Sequence, residues 1–235
     1  GYRKKYGDGR EEIFTNKGIP KILRGEQIYS VLLANMLGAP PEYYSDDYIG
    51  MSVWKNLYKR EIIENYQVRF PSEREFISED IVFHIHFLRH VDRAVVLDSP
   101  FYYYCQNASS LSTTYKVNRF EKIKKLYLYE KELLEEMEIF ELGKLQLQRT
   151  FIANVRFCIM LEAARGKYER KDAKRSIDRY CADEELQQVL RGYPCNKLPI
   201  KQRIFSIFMI HKNTRILYIL ACCHNKSISG KRARL

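Results

Sequence analysis

Phe76-Ile-Ser-Glu-Asp-Ile-Val-Phe-His-Ile-His-Phe-Leu-Arg89 reads as one buried helix, and the rest of the chain is arranged about it. Ser78 suits a helix N-cap, because its hydroxyl can accept from a backbone N–H of the first turn. Glu79 and Asp80 follow in that turn, where the helix dipole favours negative charge. Beyond them Ile81, Val82, Phe83, Ile85, Phe87 and Leu88 make the helix apolar on most sides, the pattern of a buried helix. Two carboxylates therefore sit at the mouth of a buried helix. A carboxylate there, partly desolvated, can serve as a general base. The same Ser-Glu-Asp run is also ordinary helix-start chemistry, and spacing does not separate the two readings.

Upstream, residues 1–20 alternate charge and glycine, with Ile13-Phe14-Thr15 a short strand. A helix starts near Gly25, with Ile28, Val31, Leu32 and Leu33 at helical spacing, and runs to about Leu37. Gly38 and Pro40-Pro41 end it. The loop Glu42–Gly50 is rich in tyrosine and acid, as binding loops and plain surface loops both are. Met51–Arg60 carries the only tryptophan, Trp54. Downstream, Arg93–Asp98 and Phe101–Cys105 read as strands separated by Pro100, and Asn107–Thr114 as a polar loop.

Beyond Lys116 strand-like runs disappear. Four helical segments are predicted: Phe120–Phe140, Glu141 or Gly143 to Ala164, Lys171–Leu190, and Ile200 to about Cys222 with a break near His211–Asn213. The expected fold class is α+β, with a mixed unit over 1–115 and an all-helical unit over 116–235.

The chain has 235 residues, 46% of them hydrophobic, enough for a sizeable core. Its net charge of +11 favours an anionic partner such as a membrane surface, nucleic acid or phosphorylated ligand. The six cysteines form no CxxC pair and read as reduced thiols of a cytoplasmic protein. No signal peptide or membrane-spanning run is visible.

Several pieces between Gly50 and Tyr115 occur in a telling order: Val53-Trp-Lys-Asn-Leu-Tyr-Lys-Arg-Glu-Ile-Ile63, Val68-Arg-Phe70, Ser78-Glu-Asp-Ile-Val-Phe83, Val95-Val-Leu97, Phe101-Tyr-Tyr-Tyr104 and Ser109-Ser-Leu-Ser112. Together they cover a quarter to a third of the chain. This order resembles the C-terminal half of the catalytic domain of bacterial family 2 glycosyltransferases, inverting enzymes with a GT-A fold that build capsular and other surface polysaccharides. The resemblance implies an incomplete GT-A sheet portion, the acceptor side, followed by the helical region. It implies transfer of a sugar from a nucleotide-sugar donor to a saccharide or lipid-linked acceptor. It also implies a catalytic base, Asp80 before Glu79, and a divalent metal (Mg or Mn) on the donor diphosphate of the complete enzyme. An acceptor hydroxyl needs such a base because it is a poor nucleophile until its proton has somewhere to go. The family's nucleotide-binding region and Asp-x-Asp metal motif are not found, and Asp46-Asp47 is no substitute, lacking an apolar strand before it. The expectation is a fragment that, alone, neither transfers sugar nor binds donor tightly, nor holds the metal.

Other residues carry weaker readings. Trp54 suits stacking on a sugar face or a place in the core. Tyr102–Tyr104 alternate across a strand, so that some face the core and another a cleft; Tyr103 is the one expected at the acceptor, with Trp54 and His84. His84 lies one turn from Asp80 and suits orienting it. His86 and His90 share a helix face, but a third metal ligand is missing. The segment 200–235 mixes Phe, Ile and Leu with Lys and Arg, as a basic amphipathic helix on the inner face of an anionic membrane would. It equally suits a helix packed in its own bundle. The alternative to an enzyme is a basic helical interaction module binding an anionic membrane or nucleic acid. For the enzyme reading no nucleic acid is expected, since acids are interleaved with the bases and no nucleic-acid-binding signature is present.

Overall fold

The computed structural model describes residues 1–15, 18–72, 74–105, 118–165 and 169–232, with side chains as far as Asn225. The polar loop at 107–114, with Ser109, Ser110 and Ser112, lies outside the described residues.

The architecture is α+β. Five short strands are described: β1 (Tyr2–Lys5), β2 (Glu11–Phe14), β3 (Ile22–Arg24), β4 (Arg93–Val95) and β5 (Tyr102–Cys105). One sheet has the order β2-β1-β5, with β1 antiparallel to β2 and parallel to β5. Tyr2 therefore stands between Phe14 and Tyr102. The other sheet pairs β3 with β4 antiparallel, Leu23 opposite Ala94. β2, β4 and β5 fall where apolar or aromatic runs predict strands. β1 and β3 do not: Tyr2-Arg-Lys-Lys5 has no apolar alternation, and its extended form comes from ladder pairing along both of its edges.

A π-helical turn at Ile28–Leu33 continues into α1 (Ala34–Leu37). Gly38 then ends the helix for a reason other than a left-handed cap. Its φ of 170° is ordinary extended backbone. What excludes a side chain is the close approach of another helix: a Cβ at Gly38 would collide with the Gln146 carbonyl and the Thr150 hydroxyl. Thr150 Oγ1 donates to the Leu37 carbonyl at 2.6 Å across the same contact.

After a tight turn at Val53–Lys55 come α2 (Arg60–Asn65) and α3 (Glu79–Leu88). In α3 every residue from Ile81 to Ile85, and Phe87 and Leu88, is buried. The Ser78 hydroxyl makes no capping bond, contrary to expectation; the acids Glu79 and Asp80 complement the helix start instead.

The C-terminal region is helical: α4 (Arg119–Glu136), α5 (Phe140–Ala164), α6 (Arg170–Ala182), α7 (Glu184–Gly192), α8 (Ile200–Ile210) and α9 (Thr214–Arg232). The segment read as one helix over Lys171–Leu190 is two. Asp183 leaves helical geometry and its carboxylate accepts from the Leu186 N–H at 3.1 Å, so it caps α7. The break between α8 and α9 falls where expected, with Lys212 at φ 51°. α5 is the frame: α4, α6, α9 and α1 all pack on it. One continuous core runs from Leu23 and Ile28 through α3 to Phe151, Val155 and Ile159 of α5 and on to Leu217 and Ala221 of α9.

Glu130 of α4 is an exception in that core. It occupies the buried stripe between Leu126, Tyr127, Leu133 and Leu134, and burial raises its carboxyl to about 8 from the usual 4.5. The folded state keeps Glu130 protonated while the unfolded chain ionises above pH 4.5. Stability is therefore lost as pH rises from about 4.5 to about 8, by on the order of 5 kcal/mol. His84 contributes with the opposite sign. Its folded pKa of about 4 lies below the ordinary 6.5, so stability falls as pH drops through that window. Comparing wild type with Glu130→Gln isolates the glutamate. Urea unfolding should show the variant more stable at pH 8 and nearly equal at pH 4.5. A difference independent of pH would mean that Glu130 is charged in the fold.

Candidate functional site

The β2-β1-β5 sheet alternates its side chains between two faces. Tyr2, Tyr102 and Tyr104 share one face, and Trp54 lies on it. The Trp54 ring stacks on Tyr102 at 4.5 Å and on Tyr104 at 5.2 Å, and meets Tyr2 edge-on at 5.0 Å. Tyr2 stacks in turn on Phe14 at 4.8 Å. Trp54 is only half-buried, so it is neither a core residue nor a free surface ring. Tyr103 points to the other face, where the Arg3 guanidinium sits 5.8 Å from its ring. The structure thus brings Tyr102 and Tyr104 to Trp54 in place of Tyr103. The one-residue alternation of the strand is the cause.

The turn that presents Trp54 is fastened from several sides. The Val53 N–H donates to Asp80 Oδ2 at 3.3 Å. The Tyr58 hydroxyl donates to the Val53 carbonyl at 3.3 Å, and Asn56 Nδ2 to the Ser52 carbonyl at 3.2 Å. His84 Nε2 lies 2.9 Å from the Met51 carbonyl, which assigns the ring proton to that nitrogen. His84 is 1% exposed and burial holds its pKa near 4, so it is neutral at pH 7. Its Nε2 bond goes to Met51, not to Asp80, and a side chain so enclosed has no open path to an acceptor. Where the sequence places His84 at the acceptor, the structure makes it a fastening for residues 51–56.

Asp80 is half-buried at the start of α3. Burial raises its pKa above the ordinary value; the Val53 N–H opposes that and the Glu79 carboxylate adds to it. Both carboxylates keep partial contact with solvent. Val53 and Trp54 also line a groove of about 550 Å³, walled with Tyr58, Ile63, Phe70 and Phe83. Arg60, Glu64 and Arg69 are its polar rim. Asp80 does not line this groove but bonds to Val53, which does.

The acids of the tyrosine loop are spoken for. Asp46 accepts from Arg149 Nε at 3.3 Å and from Arg156. Asp47 faces Lys55, whose ammonium donates to the Ile49 carbonyl. Gly50 makes room for this pair: a Cβ there would fall 3.1 Å from both Asp47 Oδ2 and Lys55 Nζ, and its φ of +76° favours glycine. Burial lowers the Lys55 pKa and raises that of Asp47. His90 stacks on Tyr66 with ring centres 3.6 Å apart. Among the described residues no group of three or more His, Cys, Asp or Glu fits a metal ion.

Sequence reasoning pointed to Trp54, Asp80 and Glu79 but missed Tyr2, Tyr102, Tyr104, Tyr58 and Lys55. The period of two was a usable signal for Tyr102 and Tyr104. Nothing local signalled Tyr2, one of whose two sheet partners, Tyr102, is a hundred positions away. Neither a protein-family profile, nor a curated protein, nor a solved structure matches the chain.

Proposed function

We propose that the chain is the acceptor side of an inverting glycosyltransferase of family 2 type, with a GT-A-like arrangement. The observation that carries this reading is Asp80. It is a half-buried carboxylate at the mouth of a buried helix, bonded to the turn that holds Trp54 on a tyrosine platform. In the reaction, the acceptor hydroxyl oxygen bonds to the anomeric carbon of a nucleotide-sugar, and the nucleoside diphosphate leaves with the electron pair of the broken bond. Asp80 takes the hydroxyl proton as that bond forms. Burial raises its pKa, which makes it a stronger base than a free aspartate. Trp54 offers an aromatic face for the C–H surface of the acceptor sugar. No step is assigned to a metal, and no donor-binding residue is assigned in this chain.

Trp54 is the only tryptophan, so its fluorescence reports the platform directly. Titration with a panel of oligosaccharides should give a saturable change in emission. Tyr102→Ala should weaken binding about 2- to 10-fold through lost ring packing. Emission that responds to no saccharide would sink the proposal.

A further inference from the structure

The charge of this protein is concentrated at one end. Residues 186–235 contain ten lysines and arginines and no aspartate or glutamate. The other 185 residues hold 30 basic and 29 acidic side chains, close to neutrality. The structure gives this acid-free segment a specific shape. At 100° per residue, Ile200, Ile204, Ile207 and His211 fall on one narrow face of α8. All four are exposed, Ile200 by 61%, Ile204 by 36% and Ile207 by 40%. Arg203 flanks the isoleucine line on one side and Lys201 on the other, both exposed. The opposite face is occupied: Phe205, Ser206 and Met209 are buried, and Gln202 accepts from Arg149. In the first turns of α9, Arg215 and Ile219 are exposed as well, Ile219 by 55%.

We propose that this face of α8 docks on an anionic lipid bilayer, the isoleucines entering the headgroup boundary and the flanking lysine and arginine side chains meeting lipid phosphates. A helix with an apolar line, a basic rim and no acid is the form that binds such interfaces. The pattern discriminates between partners. A second copy would bring an equally basic surface against this one. Nucleic acid would be met by basic side chains, but an exposed isoleucine line at their centre offers nothing to phosphates. The inference stands independently of the glycosyltransferase reading, and it lays α8 along the membrane surface; among the described residues no helix is long and apolar enough to cross a membrane.

The test is flotation of the full chain with phosphatidylcholine vesicles, with and without about one third phosphatidylserine. Recovery with the anionic vesicles, and its loss in high salt, is expected. Lys201→Gln with Arg203→Gln should weaken binding about fivefold per charge. Ile204→Ser with Ile207→Ser should weaken it roughly tenfold or more without changing net charge. Thermal melting matching the wild type would show that both pairs fold, as expected for exposed positions. No recovery with anionic vesicles overturns the proposal. So does binding that survives the isoleucine pair while a duplex oligonucleotide competes for it, which would identify a nucleic-acid surface.

Discussion

Arg149→Met should destabilise the protein by about 3–5 kcal/mol, the usual cost of breaking one side of a buried charged network. Arg149 is 1% exposed and each nitrogen of its guanidinium has a partner. Nε donates to Asp46 at 3.3 Å, Nη1 to the Pro40 carbonyl, and Nη2 to the Tyr43 carbonyl at 2.8 Å and to Gln202 Oε1 at 2.9 Å. One side chain of α5 thereby ties down the loop after α1 and the first turn of α8. Methionine fills much of the volume but donates nothing, so two loop carbonyls lose their partner and Arg156 must hold Asp46 alone. Lysine should rescue little, because a single ammonium cannot reproduce the planar fork. Urea unfolding at pH 7 measures this as a lower midpoint with an unchanged slope. A loss under 1 kcal/mol would show that the loop is held by its other contacts. The consequence extends to the site. The same loop carries Asp47 and Gly50 against Lys55, next to Trp54, so the variant should also alter tryptophan emission.

The second large effect concerns chemistry. On the glycosyltransferase reading proposed above, Asp80→Asn should lower the rate of sugar transfer by about 10²–10⁴-fold with little change in the acceptor KM, as removal of a general base does. The fold should survive, since the asparagine carbonyl oxygen can still accept from the Val53 N–H. Glu79→Gln should keep most of the activity, because it removes only a neighbouring charge. For the wild type, the rate should fall with acid as Asp80 takes a proton, at a pH above the ordinary aspartate range. An Asp80→Asn variant within tenfold of wild type would remove the base from the mechanism. Equal losses for Asp80→Asn and Glu79→Gln would mean that the pair acts through charge, not through proton transfer by Asp80.

Much of the helical framework was legible in the residues. The burial of α3 followed from its run of large apolar side chains, and the α8–α9 break from the polar His211-Lys-Asn213. Asp183 shows the limit of reading by apolar periodicity. Asp183-Glu-Glu185 is itself a helix-start signal, and the apolar stripe running through it concealed the break. Tyr103 shows another. The strand was evident but its facing was not, because which face of an edge strand meets Trp54 depends on what β5 pairs with.

Local chemistry fixes what neighbouring residues decide among themselves: caps, dipole complements, helical stripes, and the acid pair at the head of a buried helix. Those follow from the amino-acid order alone, and they place Glu79 and Asp80 in the first turn of a buried helix; the roles proposed for Asp80 and Trp54 come from the resemblance to the glycosyltransferases. Tertiary structure decided the rest. Tyr2-Arg-Lys-Lys5 is a strand because β2 and β5 satisfy its backbone, and Asp46 is a structural counter-ion because Arg149 and Arg156 reach it from 103 and 110 residues away. His84 is a buried fastening because a distant carbonyl, that of Met51, accepts its proton. Each of these depends on a hydrogen-bond partner supplied by a remote segment, and no pattern within a single turn or strand can name it.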